Sequence, residues 1–533
     1  MEFCFKKCFS GRYLFLVALF FALFFISRNV SAATRTWDGE GATNNWSEAA
    51  NWSGNVVPGS SDTVIFSASS TVSSTWDSAG PAQIITLNVQ SNYSGNLTLA
   101  RDVAVSGDWT FAGSGSLITQ TSTLKFVSYF PQNFTAGPVN YYAIEMAKSS
   151  DYLNIQGQAT TTNLIVSNSN ISGINSGTLN VTGNVSITAT SGGGGTGTIN
   201  INGSSDQTLS SAGWWLPNVT INKPSGILYL SGTIPVEKNW TWQSGVINPQ
   251  TSTLKFVSYF PQNFTAGPVN YYNVTLEKSS VVSVVSNMNI LNNLNILSGY
   301  LFQAGYNVQV NNAITVNQNG IWQNYSTSTS YVYVGSGGVT NNGFIDFNNG
   351  NSCTGANTVL IRSTSPGVMR SWSGSGTFRM QSIDVKDQGG AATIVVAQGT
   401  NSGNNGSNWT FDNNPLTYIY KSNLTSSVFD SQITGGASLN SIMFQSTGIG
   451  VTNLVKFQVA SSNASSGPWL FVGPDGTNVT YYIPSYGGVD YVVSINPTQH
   501  NNKRYFRYKI FLETDTCRSI SPKVRGVIIN WGA

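Results

Sequence analysis

Few side chains in this chain have the types and the spacing that acid–base or nucleophilic chemistry requires. The only histidine is His500, in the polar segment NPTQHNNK. A Ser-His-Asp triad or a histidine metal site would have to use this residue, and no G-x-S-x-G motif accompanies it. We therefore interpret His500 as part of a surface loop that precedes a strand.

The carboxylates form no convincing pair for glycoside hydrolysis, which usually requires two carboxyl groups at a defined separation. Residues three apart on a strand point to opposite faces of a sheet, so we expect Asp384 and Asp387 to be solvated and not to share a site. The sequence thus predicts no catalytic residue, no metal site and no cofactor, and it favours a protein that is not an enzyme. The closest acidic pairs are Asp38 with Glu40, Asp384 with Asp387, and Glu513 with Asp515.

The first residues have the features of a secretory signal. Three basic residues precede an apolar run over residues 13–26, and the small residues Val30-Ser31-Ala32 follow it. This run is too short to span a bilayer comfortably, because a membrane helix needs about 20 apolar residues. The sequence predicts a signal peptide over residues 1–32 and a mature chain without a membrane span that is secreted or extracellular, either released or associated with the cell surface. An uncleaved N-terminal anchor is the alternative.

The charge balance argues against polyanionic partners such as nucleic acid. The chain has 25 Lys and Arg residues against 22 Asp and Glu residues. The predicted signal contains four of the bases and one of the acids, so the mature net charge is zero. Such a chain lacks the overall positive charge that favours binding to nucleic acid or to an anionic membrane.

Two cysteines follow the predicted signal, Cys353 and Cys517, which are 164 residues apart. Two residues at this spacing cannot form a disulfide framework or a metal site. They could pair with each other in an oxidising compartment, and the sequence leaves this disulfide open.

Short runs of alternating apolar and polar residues recur along the chain. Examples are TLNVTGNVSIT over residues 178–188 and NMNILNNLNILSG over residues 287–299. Alternation with a period of two is typical of half-buried strands, and no segment shows sustained helical spacing. The sequence therefore predicts an all-β protein.

One 23-residue segment, QTSTLKFVSYFPQNFTAGPVNYY, occurs twice, at residues 120–142 and 250–272. A single coil of strands cannot bury its apolar face alone, whereas stacked coils form a continuous core. The repeats therefore predict a right-handed parallel β-helix (β-solenoid), and a string of small β-sandwiches is the alternative. Copies of the longer repeat unit lie at residues 123–150, 198–225, 253–280 and 359–387.

Aromatic residues are concentrated in the duplicated segment. If exposed, they could form a ladder that stacks on sugar rings; if buried, each would contribute a large apolar area to the core. We favour the core, and we expect the segment to be a structural unit. In the first copy these residues are Phe126, Tyr129, Phe130, Phe134, Tyr141 and Tyr142.

Composition divides the predicted mature chain into four parts. A Trp-rich stretch at residues 33–84 is predicted to cap the solenoid, which we place at residues 85–400. A Gly- and Asn-rich stretch predicts a linker at residues 401–415. The remaining part, residues 416–533, has strands that occur only once.

The strand RYFRYKIFLE, at residues 504–513, shows why an antiparallel β-sandwich is predicted for residues 416–533. Arg507 and Lys509 alternate with apolar residues, as in a sheet with one face on a core and one in solvent. In its layout this region resembles jelly-roll carbohydrate-binding domains. The apolar residues on the inner face are Phe506, Tyr508, Ile510 and Leu512.

The opening of the predicted mature chain, residues 36–67, carries a recognisable set of motifs. They resemble the opening of large bacterial surface proteins of the autotransporter-associated β-strand repeat and filamentous-haemagglutinin-like groups. The resemblance covers about thirty residues, and it implies a solenoid cap in which tryptophans seal the first coil. The motifs are Trp37-Asp38-Gly39, Asn45-Trp46-Ser47, Asn51-Trp52-Ser53, Pro58-Gly59 and Asp62-Thr63-Val64-Ile65-Phe66.

The leading hypothesis is a secreted or cell-surface structural or adhesive protein, a rigid repeat stalk whose C-terminal β-sandwich binds a polysaccharide or cell-surface glycan. The alternatives are a polysaccharide-degrading β-helix lyase or glycosidase, and a self-associating envelope or matrix component. Aromatic residues near the segment GPW are the candidate sugar platform, although core packing would explain them equally well. These residues are Trp469, Tyr481, Tyr482 and Tyr486.

Overall fold

A computed structural model describes most of the chain and confirms the predicted fold class. The protein is nearly all-β and forms a parallel β-solenoid of about 15 turns in total, with antiparallel sheets at its C-terminal end. Cys353, Cys517 and residues 1–31 of the predicted signal lie outside the described residues. The described residues are 32–168, 173–349, 358–413, 421–447, 454–486, 491–513 and 522–532.

Two compact units divide the chain, residues 1–257 and 258–533. In the first unit the described residues contain one short 3-10 helix, Ala49–Asn51, and otherwise strands. No helix in the described part of the chain is long and apolar enough to cross a membrane. The strands of the first unit are Thr34–Thr36, Thr63–Phe66, Ser74–Trp76, Gln83–Ile84, Thr86–Val89, Leu97–Leu99, Val103–Val105, Trp109–Phe111, Leu117–Ile118, Thr123–Phe126, Gln132–Thr135, Asn140–Met146, Leu153–Val166, Ile174–Val181, Val185–Ile187, Thr198–Ile201, Gln207–Ser211, Asn218–Val236, Trp240–Asn248 and Thr253–Phe256.

Strand pairing in the first unit is parallel and joins residues one coil apart. Leu124 pairs with Val103 on one side and with Ile144 on the other, so that each coil takes about 20 residues. Alternation places these apolar side chains inside, where they stack as a continuous core. The buried column consists of Val103, Leu124, Ile144, Leu164, Val185, Leu209 and Leu230.

The tryptophans of residues 36–67 are buried at the beginning of the first unit. Trp37 and Trp52 meet edge to face, with 5.1 Å between their ring centres. Trp46 stacks on Trp76 with ring centres 4.0 Å apart. All of these side chains are fully buried, and Trp37, Trp46 and Trp52 pack against Phe66 of the second strand.

The duplicated segment is only partly a core unit. Phe134 and Tyr141 are buried as predicted, but the side chains of Tyr129 and Phe130 are 69% and 75% exposed. The prediction of a core position is wrong for this pair, and also for Tyr142, which is 41% exposed. The reason is that Tyr129 and Phe130 lie at a corner between two strands, where the chain bends and side chains point outwards.

The second unit begins with parallel coils and ends with antiparallel strands. Val274, Leu294 and Ile314 pair in register from coil to coil and are buried. The second copy of the duplicated segment again exposes its corner, since Tyr259 is 81% and Phe260 60% exposed. The strands of the parallel part are Gln262–Thr265, Asn270–Tyr271, Asn273–Val284, Met288–Ile290, Leu294–Phe302, Val308–Val310, Ala313–Tyr325, Ser330–Val334, Gly338–Asn341, Phe344–Asn348, Val359–Ser363, Arg370–Ser373, Thr377–Gln381, Ile383–Val385, Gln388–Gly390, Ile394–Ala397, Thr400–Asn401 and Trp409–Asp412.

The stretch predicted as a linker, residues 401–415, contributes to the solenoid. Its strand Trp409–Asp412 pairs in parallel with Ile394–Ala397, and Trp409 is buried. The Gly and Asn residues form a corner instead of a linker, because Gly403 and Asn404 adopt the positive φ values that tight corners require.

The C-terminal antiparallel domain (residues 421–532) consists of two four-stranded sheets. Phe457 and Phe506 of one sheet share a core with Ile442 and Phe444 of the other, as in the predicted sandwich. A short helix, α1, spans Pro497–His500. The first sheet has the strands Lys421–Thr425, Phe429–Asp430, Val455–Ser462 and Tyr505–Glu513, and the second has Ser438–Thr447, Ser485–Tyr486, Tyr491–Ser494 and Lys523–Gly532.

Candidate binding surface

His500 is a buried residue, so its prediction as a surface-loop residue is wrong. Asn496 caps helix α1 by accepting a hydrogen bond from the backbone N–H of Thr498, and the helix turns the imidazole inwards until only 1% of His500 is exposed. Its Nδ1 lies 3.0 Å from the Oγ of Ser461. Burial lowers the pKa of His500 to about 4, so the ring is neutral at physiological pH.

The Ser461–His500 pair lacks the remaining parts of a catalytic triad. Among the described residues, no carboxylate is hydrogen-bonded to His500, and its buried Nε2 has no hydrogen-bond partner. A general base must reach a proton on its substrate, which an enclosed ring cannot do. The pair is therefore a structural contact between helix α1 and the strand Val455–Ser462.

The acidic pair Asp384 and Asp387 is engaged in two separate contacts. Asp384 forms an ion pair of 3.0 Å with Arg362. Asp387 is buried, contrary to the solvated position that the sequence predicted, and accepts hydrogen bonds from Asn404 and from the N–H of Gly367. Burial opposes ionisation of Asp387, but these hydrogen bonds and the charge of Lys386 outweigh it and lower its pKa.

The four predicted sugar-platform residues do not form one surface. Trp469 and Tyr481 are half-buried on the outside of the first sheet of the C-terminal antiparallel domain. Tyr482 is only 3% exposed and belongs to the domain core, so it cannot stack on a sugar from outside. Tyr486 lies in a strand of the second sheet, where its backbone pairs with Tyr491.

Trp469 and Tyr481 are parts of a longer arrangement in which cations lie beside aromatic rings. The guanidinium carbon of Arg507 lies 5.6 Å from the ring centre of Trp469. The Nζ of Lys509 lies 4.7 Å from the ring centre of Phe471 and 6.0 Å from that of Phe511. These separations are within the range of cation–π interactions.

The same arrangement continues through Tyr481 to Lys456. Tyr481 meets Phe511 edge to face at 5.0 Å, and the Nζ of Lys456 lies 5.5 Å from the Tyr481 ring centre. We call the whole set the cation–aromatic row. It consists of Trp469, Arg507, Phe471, Lys509, Phe511, Tyr481 and Lys456.

Sheet register positions the row. Arg507, Lys509 and Phe511 alternate on one face of the strand Tyr505–Glu513. The neighbouring strand supplies Gln458, whose Nε2 donates hydrogen bonds to the carbonyls of Asn478 and Thr480. These bonds hold the segment that carries Tyr481 over the sheet.

The row carries positive charge that is only partly compensated. Lys456 forms an ion pair of 3.2 Å with Glu513. Arg507 donates to the carbonyl of Ser426 instead, and within the described residues neither Arg507 nor Lys509 has a carboxylate partner. Lys509 and the remaining donors of Arg507 can therefore meet an anionic ligand beside half-buried aromatic rings.

Sequence patterning could locate part of this surface. Alternation in RYFRYKIFLE places Arg507 and Lys509 on the outer face, and that prediction is confirmed by the burial of Phe506 and Ile510. Phe471 was missed, because its position over the sheet depends on how the long connection after Ser462 folds back. No local pattern encodes that path.

Comparison with protein-family models, with curated proteins and with solved structures finds no match. The likeness of residues 36–67 to bacterial surface proteins therefore remains a resemblance. In the described part of the chain, no group of three or more His, Cys, Asp or Glu side chains could hold a metal ion.

Proposed function

We propose that the chain is a secreted or cell-surface adhesive protein, without enzymatic activity, whose C-terminal antiparallel domain binds an anionic glycan along the cation–aromatic row. The observation that carries the proposal is the position of Arg507 and Lys509 beside aromatic rings without carboxylate partners in the described residues. Aromatic edges and faces suit the apolar faces of sugar rings, and Arg and Lys suit carboxylate or sulfate groups.

The charge of the row favours an anionic glycan over a neutral one. A neutral sugar would remove water from the two cations without offering a charge to compensate for the lost hydration, which costs free energy. A uronate or sulfate group instead forms charge-assisted hydrogen bonds with them. The zero net charge of the predicted mature chain as a whole limits non-specific attraction to polyanions. We therefore expect an anionic glycan to bind at the cation–aromatic row, where aromatic rings and cations lie side by side.

The experiment compares the full mature chain, residues 33–533, with a Lys509→Gln/Arg507→Gln variant. Lys386→Gln is the matched control, since Lys386 is an exposed base elsewhere in the chain. Pull-down with polygalacturonate, alginate and dextran sulfate is compared with pull-down with neutral dextran, and released reducing ends are assayed in the same tubes.

We expect binding to at least one anionic polymer, a decrease of about tenfold or more in the double variant, and no change in the control. Each charge-assisted hydrogen bond lost corresponds to about 1.5–3 kcal/mol, and 1.4 kcal/mol to about tenfold in affinity. Equal binding by the double variant and the wild type would contradict the proposed site. Release of reducing ends would support the alternative of a polysaccharide-degrading enzyme.

The exposed aromatic corners favour self-association as a second candidate function. Tyr129 with Phe130, and Tyr259 with Phe260, present adjacent exposed rings, and paired exposed aromatics are typical of contact surfaces. Light scattering at increasing protein concentration tests this candidate. Growth of particles in the wild type but not in a variant with serine at all four positions would support it, and monodisperse wild type at high concentration would exclude it.

A further inference from the structure

A second site lies in the parallel part of the second unit, on a seven-stranded sheet that begins with the strand Asn270–Tyr271 and ends with Thr400–Asn401. A cleft of about 300 Å³ opens on the outer face of this sheet. This volume is at the lower end of the range for small-molecule sites, about 300–1,000 Å³. We call it the amide cleft, and its polar lining consists of Asn270, Asn287, Asn289, Asn307, Gln309 and Tyr333.

Coil stacking aligns the lining residues. Asn270 pairs with Asn289, Asn289 with Gln309, and Gln309 with Tyr333, so one side chain from each of four successive coils reaches the same column. Their neighbours in sequence point into the core, where Val308 is fully buried. A ligand lying along the column would meet a new polar group at every coil, about 4.8 Å apart.

Several amide groups in the cleft have hydrogen-bonding capacity that the described residues do not use. Asn287 and Asn307 accept hydrogen bonds from backbone N–H groups through Oδ1 at 2.9 Å, and their Nδ2 groups donate to no described residue. Gln309 donates to Asn311 at 2.9 Å, which leaves its Oε1 as an acceptor. The cleft thus offers separate donors and acceptors along its length.

The amide of Asn289 is also incompletely satisfied. Its Nδ2 donates to Asn270, while its buried Oδ1 has no donor among the described residues. An unsatisfied buried acceptor costs about 1–3 kcal/mol. Asn289 lines the cleft, so a ligand hydroxyl group that donated to this oxygen would remove that cost.

Tyr333 provides an aromatic face at one end of the cleft. Its ring stacks on that of Tyr331, with ring centres 5.3 Å apart and planes 8° from parallel. Because the two rings already restrain each other, a sugar ring that stacked on Tyr333 would cost little further side-chain entropy. Among the described residues, none that lines the cleft is charged.

We propose that the amide cleft binds a short segment of a neutral oligosaccharide, with Tyr333 as the stacking platform and the Asn and Gln amides as partners of the sugar hydroxyl groups. A hydroxyl group both donates and accepts, so it fits a lining of separate amide donors and acceptors. The uncharged lining gives no compensation for a buried phosphate, sulfate or carboxylate group. The site differs in ligand charge from the cation–aromatic row and does not depend on the function proposed for that row.

The test uses the full mature chain and neutral oligosaccharides of glucose, xylose, mannose and galactose, with binding measured by calorimetry and by saturation-transfer NMR. The variants are Tyr333→Ala and Gln309→Ala. Tyr306→Ala is the control, because Tyr306 is an exposed tyrosine of the same unit outside the cleft lining. Thermal unfolding of each variant shows whether it remains folded.

We expect at least one neutral oligosaccharide to bind with an affinity that falls about tenfold or more in Tyr333→Ala, as loss of a stacked sugar ring implies, and that falls in Gln309→Ala as well. The control and the Lys509→Gln/Arg507→Gln variant should bind like the wild type, and added salt should not weaken binding. Absence of binding to every neutral oligosaccharide would overturn the proposal. Unchanged affinity in a folded Tyr333→Ala or Gln309→Ala variant would also overturn it.

Discussion

The Nζ of Lys148 donates a hydrogen bond to the Oε1 of Gln132 at 2.9 Å, in the interior of the first unit, where both side chains are fully buried. Lys148 also donates to the carbonyl of Phe130 at 2.8 Å. Gln132 in turn donates from Nε2 to the carbonyls of Val105 and Gly107. One lysine and one glutamine thereby connect the exposed aromatic corner to the preceding coil.

The same pair recurs in the next copy of the repeat. Lys223 donates to Gln207 at 2.6 Å and to two backbone carbonyls. In the copy at residues 359–387, an arginine, Arg370, begins the strand where the other copies have glutamine, and it is buried. The lysine of that copy, Lys386, is exposed, which is consistent with room for only one cation inside each corner.

Replacing the buried lysine should destabilise the first unit. Lys148→Met keeps the apolar stem but leaves the carbonyl of Phe130 and the Oε1 of Gln132 without their donor. Unsatisfied buried acceptors cost about 1–3 kcal/mol each, so the urea midpoint should fall. Lys386→Met, at the equivalent exposed position, is the control; it removes only an exposed charge near Asp387, so the midpoint should change much less. A midpoint unchanged in Lys148→Met would show that the hydrogen bonds contribute nothing.

Stability should also depend on the charge of this lysine. Burial lowers the pKa of Lys148 to about 8, below the value of about 10.4 in an unfolded chain. Between these values the unfolded chain binds more protons, so the free energy of unfolding rises with pH. We expect the wild type to gain stability from pH 8 to 10, and Lys148→Met to gain less. Identical pH profiles for the two proteins would contradict the lowered pKa.

The fold class follows from the sequence because coil stacking is local and repetitive. Alternation identifies the inner residues of a strand such as Thr123–Phe126, and an identical repeat requires an identical coil. The burial of corner residues cannot be predicted in this way, because the alternation stops where the chain bends. Phe130 and Phe134 are phenylalanines of the same repeat, yet Phe130 is exposed and Phe134 is buried.

Sites formed by separate parts of the chain were predictable only in part. Arg507 and Lys509 could be assigned to an outer face from alternation, whereas the overlying Phe471 depends on a long irregular connection. The amide cleft combines residues from four coils, and the sequence marks them only as Asn and Gln among many others. The burial of Lys148 and Lys223 could not be predicted from the sequence either, because a lysine is normally a solvated residue.

His500 provides a direct measurement of burial in the C-terminal antiparallel domain. It is the only histidine, so its ring C–H resonance can be followed by NMR without assignment. Because burial lowers its pKa to about 4, the native resonance should titrate near pH 4, and that of the urea-unfolded chain near pH 6.5. The neutral ring stabilises the fold above pH 6.5, and this contribution, about 3 kcal/mol, is lost as the pH falls towards 4. A native midpoint near 6.5 would contradict the buried position.

Substitution of the buried and of the exposed aromatic residues in the duplicated segment should change stability to very different extents. Phe134→Ala removes a fully buried ring and should lower the free energy of unfolding by about 3–5 kcal/mol. A Tyr129→Ser/Phe130→Ser variant changes only exposed side chains, so we expect a change within about 0.5 kcal/mol. Urea denaturation of both variants beside the wild type measures the contrast. Strong destabilisation by the corner variant would mean that Tyr129 and Phe130 pack against a neighbouring surface, and their value as exposed contact residues would then be lost.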